Sequence, residues 1–149
     1  EAAAKFLNEM QIPFEMNALS AHRTPEKVIE FAETAYDRGI RVIIAAAGMA
    51  AHLPGVIAAI TPLPVIGVPI NASLDGLDSI FSIVQMPPGI PVATVAVNGA
   101  QNAAILAMEI LATGDEELYK KMLKFKADLK TKITKANEEL AQIKYDYKV

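Results

Sequence analysis

Short apolar segments alternate with helix-like segments along most of this 149-residue chain. Arg41–Ala47 (RVIIAAA) is apolar after its first residue, which is typical of a strand buried on both faces of a parallel sheet. Pro64–Ile70 and Pro91–Val97 are predicted as further strands, and the alternating residues of Phe14–Leu19 as an earlier one. Strands and helices that alternate at this spacing predict an α/β fold, with a doubly wound parallel sheet covered by helices on both faces.

Helix signals occupy the stretches between the predicted strands. Thr24 and Pro25 fit the N-cap and the first position of one helix, which Gly39 ends, and Asp75 fits the N-cap of another. A long C-terminal helix carries an apolar residue every three or four positions, which forms one stripe. We expect this stripe to dock on the body of the protein or on a neighbouring subunit. The predicted helices cover residues 1–10, 24–38, 51–60, 75–85, 100–112 and about 115–145.

The order of the elements is unusual at the start of the chain. The alternation begins with a helix, whereas a doubly wound unit normally begins with a strand. We therefore expect that a first strand, with the loop after it, is missing before Glu1. Because no linker or low-complexity segment divides the rest, residues 1–149 are predicted to form a single domain.

Charged residues are scarce in the middle of the chain. Between Val42 and Leu111 the only charged side chains are Asp75, Asp78 and Glu109. A soluble monomer needs charged residues on the outer faces of its helices, so this composition predicts burial against other copies of the chain in an obligate oligomer. Repeated prolines interrupt the stretch and argue against a membrane-spanning helix, and no basic surface indicates nucleic-acid binding.

Both histidines of the chain follow predicted strands. In open α/β sheets ligands bind outside the carboxyl ends of the strands, so the residues just after each strand are candidates for function. His22 is suited to proton transfer near neutral pH, or it is a surface histidine beside Arg23 in a routine salt bridge. His52 lies in a glycine-flanked loop, where it either acts on a proton or bonds nearby backbone as a structural residue.

Other residues at this edge of the sheet each have two interpretations. Ser20 binds a substrate or ends its strand, and Gly48 admits a ligand to backbone N–H groups or packs a tight turn. Asp75 and Asp78 share one side of a helix and form an acid–base pair, or Asp75 caps the helix. The chain has no cysteine and its two histidines lack the spacing of a metal site, so we expect neither a disulfide nor a bound metal.

Five blocks of the sequence, in their order and spacing, resemble the PurE family of N5-carboxyaminoimidazole ribonucleotide mutases. They are SAHRTPE at 20–26, AGMAAHLPG at 47–55, PVIGVPI at 64–70, GLDSIFSIVQMPPGIPVATVAV at 76–97 and NAAILA at 102–107. The resemblance implies a flavodoxin-like three-layer domain in a cytoplasmic homo-octamer. It further implies that the protein interconverts N5-carboxyaminoimidazole ribonucleotide and 4-carboxy-5-aminoimidazole ribonucleotide in purine biosynthesis, without a metal or an organic cofactor.

The resemblance also implies roles for individual residues. His22 moves the protons while the carboxylate leaves nitrogen as CO₂ and is taken up by the ring carbon. Ser20 and Arg23 contact the ribonucleotide, and a segment of a neighbouring subunit helps to close the site. The pocket is implied to be lined by Gly48, Ala50, Ala51, His52 and Leu53, and the closing segment to be Gln85, Met86 and Pro87.

The sequence departs from the family pattern at two places. Family members usually carry a Gly-Ser-Asp-Ser-Asp loop for ribose and phosphate after a first strand, and no segment here matches it. Ala46 and Met49 replace glycines that are common in the family. Three alternatives stay open: direct carboxylation of aminoimidazole ribonucleotide with CO₂, an inactive assembly module on the same scaffold, and a flavin- or nucleotide-binding protein. The HLPG block favours the mutase over the carboxylase.

Overall fold

A computed structural model describes all 149 residues and divides them into two compact units, Glu1–Leu111 and Ala112–Val149. Whether the two units act as one domain stays a prediction. The helices are α1 (Ala2–Glu9), α2 (Pro25–Thr34), α3 (Leu53–Ile60), α4 (Leu77–Val84), α5 (Ala100–Ala112) and α6 (Glu116–Gln142). The strands are β1 (Ile43–Gly48), β2 (Val65–Ile70) and β3 (Ala93–Thr94), and Leu74–Gly76 forms a short 3₁₀ turn.

The three strands form one parallel sheet in the order β1-β2-β3. In the β1–β2 ladder Ile43 lies opposite Val65, and the register continues to Gly48 opposite Ile70. The β2–β3 ladder is shorter and pairs Ile66 with Ala93. The parallel sheet confirms the predicted α/β class and places the ends of β1, β2 and β3 at a common carboxyl edge.

Helices cover both faces of the sheet, because successive side chains of a strand point to opposite sides. On one face Ile43, Ala45 and Val65 pack with α2 and α3, and on the other Ile66 and Val68 pack with α5. The predicted three-layer arrangement is therefore confirmed. The buried residues that cover the sheet are Val28 and Ala32 of α2, Ala35 directly after α2, Ile57 of α3, and Ala103 and Ala107 of α5.

Gly67 lets α4 approach the centre of β2. A Cβ at this position would lie 2.4 Å from Ile83 Cγ2 and 3.0 Å from Val92 Cγ1, closer than non-bonded carbons pack. Ile83 itself is 1% exposed. Because residue 67 has no side chain, α4 can pack directly on β2, on the same face of the sheet as α3.

Two of the predicted strands differ from the structure. Phe14–Leu19 is not a strand, since none of the three strands pairs with it and a strand needs a neighbour's N–H and C=O groups. Its alternating Phe14 and Met16 are exposed, whereas Leu19 packs against the α2–α3 core. Pro91–Val97 is a strand only at Ala93–Thr94, although the Val95 and Asn98 N–H groups still donate to carbonyls of β2.

The predicted cap at Asp75 is wrong. Asp75 has φ 53° inside the 3₁₀ turn, and the N-cap of α4 is Gly76, with φ 82°. The neighbouring Asp78 carboxylate accepts from the Ser79 N–H and lies beside the Ser73 hydroxyl, so it satisfies polar groups at this helix start instead. Thr24 does occupy the N-cap of α2 as predicted, but its hydroxyl bonds Ser20 rather than the helix.

The second unit is dominated by α6. The Asp115 carboxylate accepts from the N–H groups of Glu117 and Leu118, at 2.9 and 3.0 Å, which caps the helix where the sequence predicted its start. Met122 is buried, but four later apolar residues of the stripe are exposed, and the docking of the stripe stays a prediction. These exposed residues are Leu129, Ile133, Leu140 and Ile143. Among the helices of the chain, none has the length and apolar character needed to cross a bilayer.

Candidate active site

Two loops at the carboxyl edge of the sheet bring the histidines into direct contact. The Nε2 atom of His22 lies 2.9 Å from Nδ1 of His52, within hydrogen-bonding distance. The ring centroids are 4.9 Å apart and the ring planes meet at 79°, an edge-on arrangement. The sequence placed each histidine near the edge separately, and the fold joins them across 30 positions of chain.

The first loop is a turn closed by Ser20 and Thr24. The Ser20 N–H donates to Thr24 Oγ1 at 3.0 Å, and the Thr24 N–H donates back to the Ser20 carbonyl at 2.9 Å. Inside the turn, the Arg23 N–H donates to Ser20 Oγ at 3.2 Å. These bonds fix the turn that carries His22, and none of them uses a nitrogen of the His22 ring.

The second loop connects β1 to α3 and holds His52 at the N-cap of that helix. The His52 N–H donates to the Ala50 carbonyl at 2.8 Å, and the adjacent Ala51 is buried. The His52 ring makes no cap hydrogen bond to α3. Met49 begins this loop with φ 57°, a left-handed conformation that is unfavourable for a side chain other than glycine.

Gly48 ends β1 where the loop after β2 crosses closely. A Cβ on Gly48 would lie 2.9 Å from the Cβ of Ala72 and 3.3 Å from the Ile70 carbonyl oxygen. This contact supports the packing interpretation of Gly48. Ala50 and Leu53, which were predicted to line a pocket, lie on either side of His52 in the sequence; Ala50 is exposed and Leu53 is partly buried against the α2–α3 core.

The predicted closing segment follows α4. Gln85 and Pro87 are exposed, whereas the Met86 sulfur lies 3.1 Å from where a Cβ on Gly55 would be. Within a single chain Met86 therefore packs on the first turn of α3, at Gly55, which follows His52 by three positions. Whether this segment closes the site of a neighbouring subunit stays a prediction.

Arg23 forms no salt bridge within the chain, so the routine ion pair considered for it is wrong. Its side chain is exposed beside His22 and is available to an anionic ligand. Asp75 and Asp78 do not form a hydrogen-bonded pair, and only the Asp78 carboxylate bonds the start of α4. The chain contains no group of three histidine or carboxylate side chains that could hold a metal ion.

The sequence did not predict one hydrogen bond that connects two loops at this edge of the sheet. Asn98, which follows β3, accepts the Asn71 N–H on its Oδ1 at 3.0 Å and so ties together the loops after β2 and β3. Asn98 has φ 58°, and asparagine tolerates the left-handed region better than most residues. That preference was the available signal, but it does not reveal which distant N–H the amide would meet.

The site is open in the single chain. Both imidazole rings are exposed. A cavity of about 570 Å³ lies at the opposite edge of the sheet, where residues 58–64 and 89–91 lead into β2 and β3. Within one chain, the histidine pair is therefore open to solvent.

The fold and the site together define a class of protein. A parallel sheet with helices on both faces is flavodoxin-like, and its carboxyl edge is where such folds bind small molecules. An imidazole pair at that edge, with an exposed arginine beside it, is suited to moving protons on an anionic substrate. The class is thus an α/β protein with a candidate acid–base site at the carboxyl edge of its sheet.

Comparison with known proteins names the family. The AIR carboxylase family (AIRC) matches residues 1–132. An N5-carboxyaminoimidazole ribonucleotide mutase of Pyrococcus abyssi is 60% identical over 129 residues, which cover 86% of this chain and 74% of that protein. A phosphoribosylaminoimidazole carboxylase of Schizosaccharomyces pombe is 54% identical over 142 residues, which cover 95% of this chain and 26% of that protein. The crystal structure of Treponema denticola PurE has a TM-score of 0.84 and 27% identity, covering 93% of this chain and 87% of that one. The chain belongs to the AIR carboxylase family.

Proposed function

We propose that this protein is an N5-carboxyaminoimidazole ribonucleotide mutase, an isomerase that interconverts this compound and 4-carboxy-5-aminoimidazole ribonucleotide. The contact between His22 and His52 carries the proposal, because the reaction needs a group that gives and takes protons at one place. The mutase relative at 60% identity supports the same substrate.

The proposed reaction balances without an oxidant or a co-substrate. Protonation of the carbamate nitrogen breaks its bond to the carboxylate and releases CO₂. The ring carbon attacks this CO₂ to form the new carbon–carbon bond and gives up its hydrogen as a proton. One proton is donated and one is recovered, so a single imidazole in the right place returns to its starting state.

Residues around His22 supply the binding groups in this proposal. The Arg23 guanidinium pairs with a carboxylate or phosphate oxygen, and the Ser20 hydroxyl, which accepts from Arg23, still has its own hydrogen to donate. Gly48, Ala50, Ala51, His52 and Leu53 form the wall against the imidazole ring of the substrate. Gln85, Met86 and Pro87 of another copy cover the opening and retain CO₂ in a water-poor space.

A direct carboxylase is the second candidate, because the Schizosaccharomyces pombe relative at 54% identity carries a carboxylase name. Each candidate substrate should be supplied separately to the purified protein, with and without bicarbonate, and the product followed by its ultraviolet absorbance. The mutase converts N5-carboxyaminoimidazole ribonucleotide without added bicarbonate. Turnover of aminoimidazole ribonucleotide that depends on bicarbonate, with none of the carboxyamino compound, would favour the carboxylase.

Assembly and location remain part of the proposal. We propose a homo-octamer, which is supported by the scarcity of charge between residues 42 and 111 and by the open site of the single chain. A cytoplasmic location and a reaction free of metal and organic cofactor are what the family resemblance implies.

A further inference from the structure

The contact between the histidines constrains their protons. At 2.9 Å, one nitrogen must carry a hydrogen and the other must present its lone pair, because two N–H groups or two lone pairs would repel. Nε2 of His22 is therefore occupied by His52. The only nitrogen of His22 left for a substrate is Nδ1.

The group that normally orients a catalytic histidine is absent here. A base histidine is usually held by a carboxylate or a carbonyl on its second nitrogen. No aspartate or glutamate of the chain forms an ion pair with either ring, and the hydrogen bonds of the turn around His22 join Ser20, Arg23 and Thr24 without using the His22 ring. The His52 ring does not cap α3, and its Nδ1 occupies the position at Nε2 of His22 where a carboxylate or carbonyl would otherwise bind.

We propose that His52 is a positioning residue, which accepts the Nε2–H of His22 on its own Nδ1 and makes Nδ1 of His22 the atom that exchanges protons with the ribonucleotide. The proposal rests on the proposed mutase function. When His22 is protonated it carries hydrogens on both nitrogens, so its Nε2 can only donate and His52 must accept. After Nδ1 gives its proton to the substrate nitrogen, the Nε2–H stays in place. The tautomer that can recover the proton from the ring carbon is thus already set, and the protons of His52 do not change.

The test compares two substitutions at one position. His52→Asn places an amide oxygen near the position of Nδ1 and can still accept the hydrogen bond, whereas His52→Leu fills the space without an acceptor. We expect His52→Leu to lower kcat on the order of 10²-fold, and His52→Asn to recover most of this loss. Circular dichroism and the assembly size of both variants, with Glu33→Gln on the outer side of α2 as a control, establish that folding is preserved.

A second readout does not depend on turnover. In the unliganded protein, ¹⁵N spectra at a pH where His22 is neutral should place its hydrogen on Nε2, with a ¹⁵N–¹⁵N coupling to His52 Nδ1 across the hydrogen bond. In His52→Leu this preference should be lost and the pH profile of kcat should change shape. If His52 had only a structural role, His52→Leu would change neither the tautomer of His22 nor the pH profile of kcat.

Three results would overturn the positioning role. They are full kcat in His52→Leu, a neutral His22 with its hydrogen on Nδ1 in the wild-type protein, and a loss in His52→Asn as large as in His52→Leu. The last would indicate that His52 itself must carry a proton. Lack of wild-type turnover on the ribonucleotide would instead contradict the mutase function, while the ¹⁵N measurement would still report on the histidine pair.

Discussion

At the scale of single residues, the candidate site is built by hydrogen bonds that do not use the two imidazole rings. Ser20 and Thr24 close the turn around His22 through backbone groups and hydroxyls. His52 is held by its own N–H and by the start of α3. Both imidazole rings are consequently placed by their loops, and their nitrogens remain for each other and for a ligand.

Replacement of His22 by asparagine should abolish catalysis without disturbing the fold. The ring is exposed and its turn is held by Ser20 and Thr24, so the backbone bonds survive the change. We expect turnover of N5-carboxyaminoimidazole ribonucleotide to fall by at least about 10²-fold, since acid–base catalysis is lost. The Glu33→Gln variant should keep wild-type turnover. Substantial turnover by a folded His22→Asn protein would remove the proton-transfer role.

Met49 stores backbone strain next to the site. Its φ of 57° favours glycine, and its side chain is 55% exposed, so it gains little from burial. Met49→Gly should raise the free energy of unfolding by about 0.5–1 kcal/mol, measured by urea denaturation at a fixed protein concentration. Ala50→Gly, at a neighbouring exposed position without a positive φ, should lower it instead. Equal effects of the two changes would contradict the strain.

At the scale of secondary-structure elements, the seating of α4 on β2 depends on one missing side chain. Ile83 and Val92 fill the space above Gly67, and the buried Ile83 cannot withdraw without losing contacts elsewhere. The helix that leads to Gln85 and Met86 is thereby fixed to the strand at the centre of the sheet.

Gly67→Ala should destabilise the protein through overpacking. The added methyl would meet Ile83 Cγ2 at 2.4 Å, and we expect a loss of about 1–3 kcal/mol in the free energy of unfolding. Gly114→Ala is the matched control, because nothing lies within 4 Å of a Cβ there and its φ is not positive. Urea denaturation of both variants measures the difference. If the two substitutions lower the free energy of unfolding equally, the close approach of α4 is not the reason that residue 67 must be glycine.

At the scale of the whole molecule, a single chain leaves much apolar surface uncovered. Leu77, Phe81 and Val84, at helical spacing along the outer side of α4, are 57%, 61% and 49% exposed. Exposed apolar stripes of this kind mark interaction surfaces, and this one lies on the helix that carries the predicted closing segment.

The Phe81→Glu substitution should therefore break the proposed octamer. A charge in the middle of an apolar interface is costly to bury, whereas the isolated helix tolerates glutamate well. We expect light scattering to find an assembly the size of an octamer for the wild type and smaller species for Phe81→Glu, with helix content unchanged. The exposed change Glu33→Lys on α2 should leave the assembly size as it is. An intact octamer in Phe81→Glu would exclude this face of α4 from the interface.

Local sequence patterns were enough to predict most of the elements. The apolar runs of β1 and β2, the start of α2 at Pro25 and the bounds of α5 all follow from propensity and periodicity within a few residues. Patterns failed where the outcome depends on distant groups. The alternation at Phe14–Leu19 predicted a strand, but a strand forms only beside a partner, and the cap expected at Asp75 was replaced by the Gly76 turn.

The sequence by itself therefore determined the α/β class, the family, and the carboxyl edge at which His22 and His52 would lie. The tertiary structure alone decided that the two rings meet at 2.9 Å, that Asn98 ties two loops, and that α4 rests on Gly67. Periodicity and caps act over a few residues and can be seen in the chain. A hydrogen bond or a packing contact between residues 16 to 30 positions apart depends on how strands align and helices seat, which no local pattern encodes.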